Sequence, residues 1–431
     1  MCGREHIDAD QHCMAVTQPF PRIDGELWAA ESRVADLVAE FGSPLYVYDA
    51  GVIEAAYRRI ESAFAGADLL LAYSVKANSN LEILKRLRAL GAGADIVSQG
   101  ELHRCLAAGF SPSDIVFAGV GKTEVEMEAA LEVGILAFNV ESAEELQALG
   151  RVAERLGRTA PVALRVNPGI VADTPHEYTR TGDGASKFGI PVDRVLDLYR
   201  WVADQSSLEV RGIDVHIGSQ ILDPEPYTRA LAQVLDLAAE VRGEGIDLDF
   251  VDLGGGFGVG YEGEDGLSVE ALAAIVVPRV AETGLRLILE PGRFIVGQAG
   301  ILVTKVLYVK RSGSKTFVVT DGGMTELIRP SHYQGFHRIE PVISREEAAR
   351  EVVDVVGPIC ETGDFLARDR VLQMPAQGDL LAVQTAGAYG FVMASNYNSR
   401  RRPAEVVVNG AEVTLARRRE TFDDLLRGEI P

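Results

Sequence analysis

The sequence predicts an α/β protein, a (β/α)8 TIM-like barrel followed by an all-β C-terminal domain. Three observations lead there. From residue 69 onward, eight short apolar runs alternate with longer amphipathic stretches. The runs are rich in Val, Ile and Leu without clean alternation, as strands of a parallel sheet buried on both faces must be. After residue 300 the texture becomes β-rich, with little helix between runs. Eight strand–helix units over about 250 residues match a closed barrel better than an open doubly wound sheet.

Taken in order, the expected strands are LLLAYSVKA (69–77), ADIVS (94–98), IVFAG (115–119), AFNV (137–140), VALRVN (162–167), VRGIDVHIG (210–218), LDFVDLGGG (248–256) and LILEPG (287–292). Stretches such as NLEILKRLRALG, EVEMEAALEVG and YTRALAQVLDLAAEV carry the helical period between them. Residues 301–431 form the second domain, built from ILVTKVLYVK, KTFVVT, EVVDVVG, DLLAVQT and AEVVVNGAEVTLARR. Asn409-Gly410 lies between two alternating runs and marks a hairpin, because both residue types tolerate positive φ. There is no internal repeat and no low-complexity linker.

Composition narrows the function. The chain has 431 residues, enough for two or three domains, and a formal net charge of -21 that repels polyanions, so nucleic acid is not an expected partner. An anionic ligand would need a local cluster of arginines and backbone N–H groups. Four scattered cysteines, Cys2, Cys13, Cys105 and Cys360, suit a reducing compartment. Cys2, His6, His12 and Cys13 fit no zinc finger or ribbon spacing, so no metal site is expected. Residues 1–18 lack the apolar core of a signal peptide and read as a disordered leader, with Met14 an alternative start. No run reaches the ~20 apolar residues of a membrane helix, and a cytoplasmic location is expected.

In such a barrel the working residues lie at the C-terminal ends of the strands. Those ends carry Lys76, then Asp95 and Ser98, then Arg165 and Asn167. His216, Gly218 and Ser219 follow, then Gly254-Gly255-Gly256, and finally Glu290-Pro291-Gly292-Arg293. Desolvation at the end of an apolar strand is expected to lower the Lys76 pKa and keep its amine nucleophilic, although a lone lysine more often snorkels to solvent. The glycine run lets backbone N–H groups approach a phosphate, or simply makes a tight turn. Glu290 could face a protonated ring nitrogen, or only water. His216 could stack on a flat ring, or be a satisfied buried histidine. Together they describe a flat, phosphorylated aldehyde held by a lysine, a carboxylate and a glycine nest.

These residues fall within motifs that resemble the fold-type III pyridoxal-phosphate decarboxylases. The carriers are PLYVYD at 44–49, YSVKAN at 73–78, HIGSQI at 216–221, GGGFG at 254–258, EPGR at 290–293 and RPSHY at 329–333. CETGD at 360–364 and AGAYGFVMASNYNSRRRPAE at 386–405 are similar to the diaminopimelate branch. The resemblance runs from about residue 25 to 425. It implies pyridoxal 5'-phosphate as cofactor, Lys76 as its Schiff-base lysine and His216 stacked on the ring. It also implies Ser219, Gly256, Gly292, Arg293 and Tyr389 around the phosphate, Gly255 and Pro291 among the cofactor-binding residues, and Glu290 at the pyridine nitrogen. Cys360 would be the proton donor after CO2 leaves. Arg293, Arg329, Tyr333, Glu361 and Tyr389 would contact the amino-acid substrate. Because Cys360 and Glu361 reach the partner's site in that family, a homodimer with shared active sites is implied. An early segment, 19–44, would join 301–431 in the β domain, leaving 45–300 as the barrel. The loop HEYTRTGDGASKFGI (176–190) keeps the family's TG…SKFG ending without a defined role.

The resemblance implies decarboxylation of meso-diaminopimelate to L-lysine. A related decarboxylase acting on ornithine, arginine, lysine or a carboxylated polyamine is the main alternative. An inactive regulatory homologue should have lost Lys76 or Cys360, and both are present. An alanine-racemase-like enzyme would place a cation where EPGR places Glu290, and a single-barrel cofactor carrier has no use for residues 301–431.

Overall fold

The computed structural model describes residues 19–171, 174, 176, 181–182, 186–345 and 347–430. The expected leader at 1–18, with Cys2, His6, His12 and Cys13, lies outside them, as does most of 177–185.

Eight strands form the barrel: β1 (Leu69–Ser74), β2 (Gly93–Ile96), β3 (Ile115–Phe117), β4 (Ala137–Val140), β5 (Ala160–Asn167), β6 (Leu208–Val215), β7 (Phe250–Asp252) and β8 (Arg286–Leu289). All neighbours pair in parallel. The β4–β5 pairing and the β8–β1 pairing, with Leu287 opposite Leu69, complete the ring. Helices return the chain between strands, and their ends follow local chemistry. Asn80 caps Leu81–Ala89 by accepting from the Glu82 N–H, while Thr123 and Glu126 cap Glu124–Val133 reciprocally. Gly109, Gly134 and Gly157 end three helices with φ of 87°, 75° and 61°. Only a short helix, Arg293–Val296, follows β8; it packs on Ala50–Ala63, the helix that precedes β1.

Alternate residues of a strand share a face, so the barrel interior can be read two positions at a time. Its lower layer is apolar: Leu70, Ala72, Val116, Ala137, Ala163, Phe250 and Ile288 pack into one buried cluster. A Cβ on Gly212 would meet the Phe250 ring at 2.4 Å, so the glycine makes room for the plug. Two residues further along the strands the interior turns polar, with Ser74, Asp95, Asn139, Arg165, Asp214, Asp252 and Glu290 all buried. This layer is the floor of the site.

A second sheet runs in the order Phe365–Gln373, Arg350–Val356, Lys315–Thr320, Gly300–Ser312, Leu45–Asp49, Ala404–Asn409, Glu412–Arg417. Leu45–Asp49, which the sequence placed with the barrel, lies at its centre. It is antiparallel to Gly300–Ser312 and parallel to Ala404–Asn409. A fully buried five-residue run reads alike in either sheet, so composition could not assign it. Residues 19–44 form a small three-stranded sheet and the helix Val34–Phe41. Their Phe20, Leu27, Val34 and Leu37 pack on Val47, Ile301, Val303 and Val406 of the second sheet. The hairpin near Asn409 is present, but its loop is Gly410-Ala411, with Gly410 at φ 58° and Asn409 still paired to Glu412.

Candidate active site

A cavity of about 240 Å³ opens where the barrel strands end, lined among others by Ser74, Lys76, His216, Ser219, Gly256, Glu290, Gly292, Arg293, Arg329, Tyr333 and Tyr389. A hollow of about 370 Å³ at the opposite end of the strands, bordered by Ser113, Arg158 and Glu209, lacks any such grouping of buried titratable side chains.

Lys76 does not end its strand. β1 stops at Ser74, and Lys76 stands in a single 3-10 turn, Val75–Ala77, that turns the side chain toward β2. Its Nζ donates to Asp95 Oδ2 at 2.5 Å, and the Ser74 hydroxyl donates to the same oxygen at 2.7 Å. Burial pulls the ammonium pKa down, as the sequence suggested, but Asp95, Glu290 and Tyr389 outweigh it and raise the pKa. The expectation of a depressed lysine pKa is therefore corrected: the carboxylates, hidden inside apolar runs, reverse the sign.

Glu290 lies just beyond β8, 4 % exposed. Its Oε1 accepts from Asn139 Nδ2 at 3.3 Å, and the same amide donates to Asp252 Oδ2 at 3.3 Å. One oxygen from each of Asp214, Asp252 and Glu290 falls within 4.8 Å of the others. Burial and this crowding push the Glu290 carboxyl well above the usual range, and burial first among the causes pushes Asp252 to about 7. Three adjacent buried carboxyls cannot all be charged, so the group retains protons at neutral pH.

His216 Nδ1 accepts the Gly255 N–H at 3.1 Å, which leaves the proton on Nε2. Burial, then Arg165 and Lys76, hold the imidazole pKa well below its usual value, so the ring is neutral. The glycine run is needed for close approach: a Cβ on Gly255 would meet the Glu290 carbonyl oxygen at 1.9 Å, and one on Gly256 the Gly218 oxygen at 2.1 Å. Among the described residues the Gly256 and Gly292 N–H groups have no protein acceptor. Arg293 is 7 % exposed; it donates to Ser219 Oγ at 3.2 Å and to Tyr261 Oη at 2.7 Å, while its buried Nε has no partner. Tyr389 stands at φ 54°, a left-handed conformation that costs a side-chain-bearing residue roughly 1–2 kcal/mol. Its N–H donates to the Ala77 oxygen, and the Arg293 guanidinium lies 4.8 Å from its ring centre.

The cavity thus gathers most of the residues expected from sequence. Pro291 is buried beneath it and accepts the Ser74 N–H. Three other strand-end residues serve structure. Ser98 caps Gln99–Ala108, Arg165 pairs with Glu141 at 2.7 Å, and Asn167 donates to the Phe188 oxygen. Cys360 and Glu361 are outside the cavity, on an exposed turn where the Cys360 N–H donates to Asn398 Oδ1. Asp95 as the lysine's partner, the Asn139–Asp214–Asp252 group, Tyr261 and His337 were not anticipated. The polar interruptions in β2, β4, β6 and β7 were the available signal for the first four.

A barrel whose mouth offers an amine, a neutral imidazole, a buried carboxyl and a glycine- and arginine-lined recess fits a phosphorylated pyridine aldehyde, which defines the class as pyridoxal-phosphate enzymes. Residues 50–297 match the family model described as "Pyridoxal-dependent decarboxylase, pyridoxal binding domain". The chain is 50 % identical to a diaminopimelate decarboxylase of Pseudomonas aeruginosa, over 95 % of this chain and 98 % of that one. It is 46 % identical to one of Aquifex aeolicus, over 94 % and 96 %. The crystal structure of diaminopimelate decarboxylase from Helicobacter pylori complexed with L-lysine is 41 % identical and superposes with a TM-score of 0.88, covering 91 % of this chain and 98 % of that one. The chain belongs to the pyridoxal-dependent decarboxylases, in the diaminopimelate decarboxylase family. Its cofactor is pyridoxal 5'-phosphate.

Proposed function

We propose that the cavity at the barrel mouth is the active site in which meso-diaminopimelate, the substrate of this family, loses one carboxylate as CO2 to leave L-lysine. The single observation that carries the assignment is Lys76 facing Asp95 above a buried carboxyl layer, beside a glycine and arginine recess.

Bound pyridoxal phosphate supplies an electron-poor ring that accepts the electron pair released when the bond to CO2 breaks. The protein's residues arrange everything else. Lys76 holds the aldehyde end; Asp95, within 2.5 Å, is the acceptor for the ammonium proton that the amine must give up. His216, kept neutral, offers a flat face to the ring without adding a positive charge that would oppose electron flow. Glu290, steadied by Asn139, would meet the pyridine nitrogen and keep a proton there. Ser219, Gly256, Gly292, Arg293 and Tyr389 would hold the phosphate, while Gly255 orients His216. Arg293, Arg329, Tyr333 and Tyr389 meet the substrate. The distal carboxylate is assigned to Arg329, because a guanidinium can donate two parallel N–H bonds to it.

Cys360 and Glu361 complete the site from a second copy of the chain, Cys360 donating the final proton and Glu361 holding the distal ammonium. The support is their exposed turn outside their own chain's cavity, together with the family resemblance. The second sheet with residues 19–44 is then the unit that delivers this turn across a two-fold axis.

Borohydride reduction of the holoenzyme followed by peptide mapping tests the cofactor assignment. The reduced cofactor mass should sit on the peptide containing Lys76; its recovery on another lysine would displace the site.

A further inference from the structure

Arg329 opens the short helix Arg329–Tyr333 and is 8 % exposed, yet neither it nor Arg293 has a carboxylate partner among the described residues. Two buried guanidiniums lining one cavity without an anion define an anion seat. What holds Arg329 in the seat is a neutral side chain. His337 is fully buried, and its Nδ1 lies 2.8 Å from the Gln384 carbonyl oxygen. A carbonyl only accepts, so Nδ1 carries the proton and Nε2 is left with its lone pair. That lone pair faces Arg329 Nη1 at 2.7 Å. The backbone of Gln384 thereby sets the tautomer, and the tautomer sets the guanidinium.

Tyr261 stands between the two arginines. Arg329 lies 4.6 Å from the centre of its ring, Arg293 donates to its hydroxyl at 2.7 Å, and the His337 ring meets it edge-on at 5.3 Å. A negative partner in place of His337 or Tyr261 would neutralise the arginine and weaken its hold on an anion. A neutral acceptor and a ring face orient the charge without consuming it.

We propose that His337 and Tyr261 are positioning residues that pre-set Arg329, through the Gln384–His337–Arg329 relay, as the seat of the substrate's distal carboxylate. The proposal rests on the assignment of that carboxylate to Arg329. Replacing His337 by Leu removes the acceptor, and Arg329 then loses its orientation. KM for meso-diaminopimelate should rise about 10–100-fold, the scale of losses from a misplaced binding group, while kcat changes far less. His337→Gln, which returns an acceptor oxygen, should recover most of the loss. In an Arg329→Ala background, His337→Leu should add nothing, because the relay has lost its end.

The test measures KM and kcat of the holoenzyme for these four variants, with cofactor absorbance recorded for each. A KM rise in Arg329→Ala but none in His337→Leu would overturn the relay while leaving the anion seat. An unchanged KM in Arg329→Ala would overturn the seat and the relay together. An equal further rise in the double variant would make His337 a general packing residue and overturn the relay. If His337→Leu does not fold, the wild-type imidazole decides: its 15N shifts should show the neutral Nδ1–H tautomer at pH 7, and an Nε2–H ring would overturn the proposal.

Discussion

At Lys76 two opposing effects meet, and their magnitudes decide which prevails. Enclosure is the largest single effect and disfavours the ammonium, but Asp95 at 2.5 Å and Glu290 and Tyr389 behind it together outweigh it. The barrel reading made β1 and β2 neighbours and put residues 76 and 95 at the same end, but not the register that sets Ser74 beside Asp95 nor the turn that brings Lys76 onto it. Glu290 was legible from EPGR; its support by Asn139 was not, since that asparagine sits inside the apolar run AFNV. Glu290→Gln keeps the shape and removes the ionisable proton site. Its kcat should fall by roughly 2–4 kcal/mol of transition-state stabilisation, with cofactor occupancy nearly unchanged. Steady-state kinetics alongside the cofactor absorbance checks this, and an unaltered kcat would remove Glu290 from the chemistry.

The strands carry a pattern that single runs concealed. Each was expected as a short apolar run buried on both faces, and the outward positions are apolar throughout, packing under the helices. Inward positions change character halfway, from the layer around Phe250 to the carboxylate layer above it. Strand ends were also shorter than expected, β7 covering Phe250–Asp252 where 248–256 was read, because the functional residues turn away from the ladder to form the mouth. The carboxylate layer has a measurable consequence. Asp252, pushed to about 7 chiefly by burial, binds its proton more tightly folded than unfolded, where an aspartate titrates near 3.9. Its contribution to stability is therefore fully present below about pH 4 and is lost as pH rises through 7. The cofactor-free protein should lose stability between pH 5 and pH 8, and Asp252→Asn should reduce that loss by something on the order of 1–3 kcal/mol. Urea denaturation at the two pH values measures it; an equal loss in the variant would show that the proton is held elsewhere.

For the molecule as a whole, the barrel and the β-rich sheet were both legible, because strand–helix alternation stops near residue 300. The interleaving was not: Leu45–Asp49 sits between Gly300–Ser312 and Ala404–Asn409, partners some 250 and 360 residues away. The assembly is expected to be a dimer that shares its sites. Mixing Lys76→Ala with Cys360→Ala subunits, each inactive alone, should restore roughly a quarter of wild-type activity by random pairing. No recovery after proven subunit exchange would place Cys360 in its own chain's site. The decisive measurement is CO2 release by the purified holoenzyme with meso-diaminopimelate, L-lysine, L-ornithine and L-arginine, compared as kcat/KM. The expected result is a large preference for meso-diaminopimelate, because a substrate lacking the distal carboxylate leaves Arg329 buried without an anion. Faster turnover of any monocarboxylic diamino acid would contradict it.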